Sequence, residues 1–116
     1  MKGLKDKVVI VSGGATLIGA AVARAFVAEG ARVVIADIDT RGGTALATEL
    51  GECCRFIATD VTCDADIEAC VAATLKAFGG VDCLVNVAAA YVDNGFDSPR
   101  EDWEKAFAIN VFGAVM

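Results

Sequence analysis

Short runs of apolar residues alternate along this chain with segments in which apolar residues recur at helical spacing. The first run, residues 8–11, contains four consecutive β-branched residues, a pattern typical of a strand that is buried on both faces of a parallel sheet. From residue 17 onward, apolar residues recur at positions 18, 21, 22, 25 and 26. Glu29 and Gly30 then favour a helix end. The first unit is therefore predicted to be a strand, a tight turn and a helix.

The same alternation continues through the rest of the chain. Further strands are predicted at residues 31–37, 55–60 and 81–85, and further helices at 40–50 and 64–78. Ser98, Pro99 and Glu101 indicate the start of a last helix, with Ser98 as its cap and Pro99 as its first residue. Strands that alternate with helices in this way predict a Rossmann-type doubly wound α/β fold with a parallel sheet of about four strands in the order 3-2-1-4. We expect residues 1–116 to form one domain.

Polar residues follow each predicted strand at its carboxyl end. Ser12 and a glycine-rich turn follow the first strand, and Asp37, Asp60 and Asn86 lie at the ends of the other three. Ligands of doubly wound sheets bind along the edge where these ends meet. The glycine-rich turn suits a pyrophosphate, because backbone N–H groups and the positive end of the following helix dipole converge there.

Asp37 lies 18 positions beyond Gly19. In dinucleotide-binding units an acid about 20 residues past the glycines accepts hydrogen bonds from the adenosine ribose hydroxyls. A carboxylate at this point would repel a 2′-phosphate, so it favours NAD over NADP. The alternative interpretation is that the glycines close an ordinary turn between strand and helix and that Asp37 ends its strand among solvated groups.

Composition narrows the class of protein. The chain has 116 residues, 56% of them hydrophobic, and ten basic residues against sixteen acidic ones give a net charge of −6. The basic residues are scattered, which argues against a nucleic-acid surface. No apolar window reaches the length of a membrane span, and the first residues do not resemble a signal peptide. We therefore expect a soluble, cytoplasmic protein that binds neither nucleic acid nor membrane.

The cysteines do not follow a metal-binding spacing. Five cysteines are present without a C-x-x-C pair, and the sequence contains no His, so no metal site is expected. An odd number of cysteines fits reduced thiols in a cytosolic protein. We expect each of them to be a small apolar residue that is buried or half-buried.

These motifs, taken in order, resemble the N-terminal part of a classical short-chain dehydrogenase/reductase. Ser12, Gly13 and Gly19 match the family's Thr-Gly-x-x-x-Gly-x-Gly turn, in which Leu17 replaces the middle glycine. Asp37 matches the acid of the NAD-preferring members. Leu17 in place of the middle glycine puts a bulky side chain near the phosphate turn, so we expect this side chain to point into the interface between helix and sheet.

Three further motifs extend the resemblance. Asp60 and the residue after it match the Asp-Val pair that contacts the adenine ring, and residues 86–89 align with the Asn-Asn-Ala-Gly motif on the nicotinamide side, with Val87 and Ala89 as departures. Asn110 matches the catalytic Asn that holds a water in the proton relay. The resemblance implies NAD as cofactor, with these binding residues: Ser12, Gly13, Leu17, Ile18, Gly19, Asp37, Ile38, Asp60, Val61, Asn86, Ala88 and Ala89.

The resemblance also implies hydride transfer between the nicotinamide and an alcohol or carbonyl substrate, in a homodimer or homotetramer. The family's Ser, Tyr and Lys are not found, because the single tyrosine, Tyr91, is followed four residues later by Gly95. We therefore expect the cofactor-binding part of a longer enzyme, inactive as a 116-residue chain. Two alternatives stay open, namely a non-catalytic NAD(H)-binding or protein-interaction module and a site for another nucleotide such as SAM or FMN.

Large apolar residues recur at helical spacing in the last predicted helix. They form either an oligomer interface or the core-facing stripe of the helix itself, and the sequence does not distinguish the two. The residues are Trp103, Phe107, Val111 and Phe112.

Overall fold

A parallel sheet of four strands with flanking helices forms the molecule. The computed structural model describes residues 3–15, 17–88 and 99–109. The strands are β1 (Val8–Ser12), β2 (Arg32–Asp37), β3 (Cys54–Ala58) and β4 (Cys83–Asn86), and the helices are α1 (Leu17–Ala28), α2 (Thr40–Leu50), α3 (Asp64–Phe78) and α4 (Arg100–Phe107). The strands lie in the order β3-β2-β1-β4, with every neighbouring pair parallel. The predicted fold and strand order are confirmed.

The two central strands form the core of the sheet. All five residues of β1 and five of the six in β2 are buried, because helices cover both faces of the sheet. Ala20, Ala23 and Leu46 from α1 and α2 pack on one face, while Cys70 and Phe78 from α3 pack on the other. Each buried Val or Ile contributes about 1.5–3 kcal/mol of hydrophobic free energy, so the consecutive β-branched runs favour this central position.

The outer strands are more exposed. β3 has one buried residue, and every residue of β4 is exposed or half-buried, because each of these strands has a neighbour on one side only within the described sheet. Their bounds also differ from those predicted, since β3 begins and ends earlier and β4 begins at Cys83. α4 begins at Arg100, one residue after the predicted start, with Pro99 in the cap position. Ser98, the side chains of Trp103 and Phe107, Val111 and Phe112 lie outside the described residues.

Helix α1 is confirmed, but the apolar residues that indicated it are not the ones that pack most closely. Its buried residues are Gly19, Ala20 and Ala23, whose small side chains let the helix approach the sheet. Among the apolar residues that indicated the helix, Ile18, Ala21 and Ala25 are exposed, and Val22 and Phe26 are half-buried.

The prediction that every cysteine is buried or half-buried is wrong at two of the five positions. All five cysteines are free; Cys54 and Cys70 are buried and Cys63 is half-buried, but Cys53 and Cys83 are exposed, contrary to expectation. Within residues 3–15, 17–88 and 99–109, no helix is long and apolar enough to cross a membrane.

Candidate functional site

Backbone hydrogen bonds join the carboxyl ends of the strands into one edge. The Gly13 amide donates to the Ala36 carbonyl at 2.7 Å, which links the end of β1 to β2. The Thr59 amide donates to the Asp37 carbonyl at 2.9 Å, which links β3 to β2. These bonds continue the sheet pairing beyond the strands, so the loops at this edge begin from fixed positions.

The ends of β1 and β4 are joined in the same way. The Val87 and Ala88 amides both donate to the Ser12 carbonyl, at 3.0 and 2.9 Å. The Ser12 hydroxyl donates to Asn86 Oδ1 at 3.3 Å, and the register places these two residues opposite each other. Ser12 is therefore a buried link between two loops.

The glycine-rich turn is packed too tightly for side chains at two positions. Gly13 has a φ of +75°, and a Cβ built on it would lie 2.6 Å from the Ala88 amide nitrogen. A Cβ on Gly19 would overlap the Gly13 carbonyl oxygen. Glycine is required at both positions, because the first helical turn of α1 approaches the end of β1 and the loop after β4 without intervening atoms.

Asp37 ends β2 and is only 9% exposed. Its Oδ2 accepts a hydrogen bond from the Ala15 amide at 3.1 Å, and its Oδ1 accepts one from the Asp39 amide at 2.9 Å. The carboxylate therefore lies between the tip of β2 and the glycine-rich turn. Burial of this charge is compensated by the two amide dipoles.

Asp60 follows β3 and is exposed. Its Oδ1 accepts hydrogen bonds from the Thr62 amide at 2.9 Å and the Thr62 hydroxyl at 2.6 Å. These bonds, led by the hydroxyl, hold the pKa of the Asp60 carboxyl below its ordinary value. The Asp60 amide in turn donates to Asp66 Oδ2 at 3.0 Å, which ties the loop to the first turn of α3.

A cleft of about 600 Å³ opens along this edge of the sheet. Two carboxylates and otherwise apolar or small residues line it, and no Lys or Arg is found among its described lining residues. The lining residues are Gly13, Leu17, Ile18, Ala36, Asp37, Ile38, Thr59, Asp60, Val61, Val87, Ala88 and Ile109.

Most of the predicted binding residues thus meet in one cleft. Ser12, Gly19 and Asn86 do not line it; the first two are buried and Asn86 is exposed. Ala89 and Asn110 lie outside the described residues, as does Tyr91. Within the described part of the chain, no three His, Cys, Asp or Glu side chains stand close enough to hold a metal ion.

The expected orientation of Leu17 is wrong. Its side chain is 92% exposed and lines the cleft instead of packing between helix and sheet. The reason is that Leu17 is the first residue of α1, so its side chain lies beyond the segment around Gly19, Ala20 and Ala23 that packs against the sheet. Ile18 and Ile38 are 71% and 72% exposed, so three large apolar side chains border the cleft.

Four lining residues were not predicted from the sequence. Thr59 directly precedes Asp60 at a strand end and could have been found by the same reasoning. Ala36 and Val87 are apolar neighbours of predicted residues and carry no signal of their own. Ile109, just after α4, joins the cleft only through the tertiary placement of that helix.

Comparison with known proteins agrees with this architecture. A sequence profile for the family described as short chain dehydrogenase matches residues 7–116. A sorbitol dehydrogenase from Cereibacter sphaeroides is 43% identical over 113 residues, which are 97% of this chain and 44% of that protein. A galactitol 2-dehydrogenase from Agrobacterium fabrum is 42% identical over 113 residues, 95% of this chain and 43% of that protein.

Solved structures give the same result. The crystal structure of a 3-ketoacyl-(acyl-carrier-protein) reductase from Brucella melitensis complexed with NADH matches this chain with a TM-score of 0.91 at 33% identity. The match covers 97% of this chain and 48% of that one, so the chain spans less than half the length of these relatives. The family match over residues 7–116 and the shared fold establish that this chain belongs to the short chain dehydrogenase family.

Proposed function

We propose that this chain is the NAD-binding part of an oxidoreductase that transfers hydride between the nicotinamide and an alcohol or carbonyl substrate. The observation that carries the proposal is the buried Asp37 carboxylate beside the glycine-rich turn, at the wall of a cleft large enough for part of a dinucleotide. Two relatives are named for the polyols sorbitol and galactitol, which supports an alcohol substrate.

The choice of NAD over NADP follows from charge. The Asp37 carboxylate accepts hydrogen bonds from ribose hydroxyls but repels a 2′-phosphate. The second carboxylate of the cleft, Asp60, adds negative charge, and no basic residue among the described lining residues offsets it. The relative solved with NADH carries the same class of cofactor.

The glycine-rich turn fits the pyrophosphate. Glycines at positions 13 and 19 let the end of β1 and the start of α1 approach each other closely, and the first turn of α1 contains no acidic residue to neutralise the positive end of the helix dipole. We assign the pyrophosphate to the backbone amides of this turn.

The remaining cofactor contacts come from the loops after β3 and β4. Asp60 and Val61 would hold the adenine, with the exposed Ile38 lining the same cleft, while Asn86, Ala88 and Ala89 would hold the nicotinamide side. When bound, NAD supplies the carbon that accepts or donates the hydride. We assign to Asn110 the role of holding the water of the proton relay.

The 116-residue chain contains no Tyr-x-x-x-Lys segment. A tyrosine acts as the base for the alcohol proton only beside a cation, because the phenol has a pKa of about 10 until such a cation lowers it. We therefore propose that the chain alone binds NAD without turnover, and that the whole protein acts as a homodimer or homotetramer.

Titration calorimetry of the purified chain with NAD and with NADP tests the proposal, and an assay of NADH formation with sorbitol follows. We expect NAD to bind at least about tenfold more tightly than NADP, a difference of about 1.4 kcal/mol, and no NADH to form. Failure to bind NAD, or tighter binding of NADP, contradicts the proposed cofactor. NADH formation by the chain alone contradicts the assignment of catalysis to residues that it lacks.

A further inference from the structure

Asp37 makes its contacts in two directions. The Asp39 amide, 2.9 Å from Oδ1, belongs to the segment that follows β2, whereas the Ala15 amide, 3.1 Å from Oδ2, belongs to the glycine-rich turn 22 residues earlier in the chain. A single carboxylate thus connects the tip of one strand to the loop that follows its neighbour.

We propose that Asp37 positions the glycine-rich turn before any cofactor arrives, in addition to contacting the ribose. The inference rests on the proposed function for its consequence in NAD binding, but the contact itself joins two groups of this chain. The pyrophosphate site and the ribose site are then coupled through one side chain.

The first part of the turn is held by other contacts. The Gly13 amide is held by the Ala36 carbonyl at 2.7 Å, and Gly14 lies against Ile35 so closely that a Cβ on it would be 2.9 Å from Ile35 Cγ2. Beyond Gly14, the Ala15 amide is held by Asp37. Loss of this acceptor leaves the segment that leads into α1 without that restraint.

The carboxylate has room for both roles. An ionised carboxylate offers about four acceptor positions, and the two backbone amides occupy two of them. The ribose hydroxyls can therefore bind to the remaining positions while the turn stays held. The site is preorganised, which lowers the ordering cost of binding.

Amide exchange in the unliganded protein tests the positioning role directly. Asp37→Ala is expected to speed exchange of the Ala15 amide at least about tenfold, the effect of losing one hydrogen bond of about 1.4 kcal/mol. Asp37→Asn retains an acceptor oxygen and restores most of the protection. Asp39→Ala is the matched control, because it removes a neighbouring carboxylate that caps α2 through the Gly42 amide at 2.9 Å and leaves the Asp39 amide in place.

Ligand binding separates this role from a simple ribose contact. Adenosine has the ribose but no phosphate, whereas NAD also uses the turn. We expect Asp37→Ala to weaken the binding of NAD by about tenfold more than it weakens the binding of adenosine. Exchange of the Val9 amide in β1 should be unchanged, which would show that the fold is intact. A general loss of stability would instead speed exchange at both the Ala15 and the Val9 amides.

Two results would overturn the inference. One is an Ala15 amide that exchanges at the same rate in Asp37→Ala as in the wild type. The other is an equal loss of affinity for adenosine and NAD. If the wild-type chain does not bind NAD at all, the proposed function fails, while the exchange rates still decide whether Asp37 holds the turn.

Discussion

The Asp82 carboxylate accepts a hydrogen bond from the Val8 amide at 2.8 Å, and the Asp82 amide donates to the Val8 carbonyl, also at 2.8 Å. This pair of bonds precedes the register of β1 and β4, in which Ser12 lies opposite Asn86. The contact at the amino end of the sheet therefore aligns the two loops at the cleft.

Replacement of Asp82 tests this alignment. Asp82→Ala leaves the amide of the buried Val8 without its acceptor, and we expect the free energy of unfolding to fall by about 1–3 kcal/mol. Asp82→Asn keeps an acceptor oxygen and should lose less. Urea unfolding followed by circular dichroism measures both. An alanine variant as stable as the wild type would contradict the role of this side chain.

Gly13→Ala tests the close packing of the turn. Gly79 is the matched control, because it has a similar φ of +80° but no atom within 4 Å of the position that a Cβ would take, whereas the Cβ of residue 13 would meet the Ala88 backbone. Gly79→Ala should cost about 1–2 kcal/mol of stability for its left-handed backbone. Gly13→Ala should cost about 1–3 kcal/mol more because of the overlap. Equal unfolding free energies for the two variants would show that the packing adds nothing.

Leu17→Gly tests whether the side chain in place of the family's middle glycine obstructs the cofactor. Leu17 is 92% exposed, so its removal opens the cleft without creating a cavity in the core. We expect the affinity for NAD, measured by calorimetry, to be equal to or higher than that of the wild type. Leu17→Ala separates loss of the side chain from the added backbone freedom of glycine. A tenfold loss of affinity in both variants would instead make Leu17 a binding residue.

The neighbouring thiols Cys53 and Cys54 should react at very different rates. Burial raises the pKa of Cys54 to about 11, while Cys53 is exposed. Since the thiolate is the reactive form, iodoacetamide at a pH of about 8 should modify Cys53 much faster. Peptide mass spectrometry assigns the modified residue, and Cys53→Ser reports Cys54 alone. Comparable rates for the two thiols would contradict the burial of Cys54.

The raised pKa of the Cys54 thiol also makes the stability of the protein depend on pH. A thiol whose pKa is raised by folding from 9.0 to about 11 holds its proton more tightly in the native state. Its contribution to stability is complete below about pH 9 and is lost as the pH rises toward 11. Urea unfolding across this interval should show a smaller decline in Cys54→Ala than in the wild type.

Much of the fold could be predicted because its central strands carry a strong signal. Consecutive β-branched residues such as Val9, Val33 and Val34 are typical of a strand that is buried on both faces, and all three are fully buried. The packing face of α1 could not be predicted in the same way. Gly19 and Ala23 are selected by how closely the helix approaches the sheet, and hydrophobicity favours larger residues such as Ile18, which is exposed.

The candidate site could likewise be predicted from the sequence only in part. The positions of Asp37 and Asp60 follow from strand ends, which the sequence pattern marks well. Their hydrogen bonds to Ala15 and Thr62 depend on loop conformations that no spacing encodes. The prediction for the Leu17 side chain was wrong for a related reason. A single residue at the start of a helix is not part of a repeating pattern, so the sequence does not indicate which way its side chain points.

The NAD and NADP affinities of the wild type and of Asp37→Ala, measured in parallel by calorimetry, test the central claim most directly. Any effect of Asp37 on the glycine-rich turn acts on both cofactors, so the ratio of the two affinities isolates its charge beside the ribose. We predict a wild-type preference for NAD of at least about tenfold that falls toward unity in Asp37→Ala. An unchanged ratio would contradict the account.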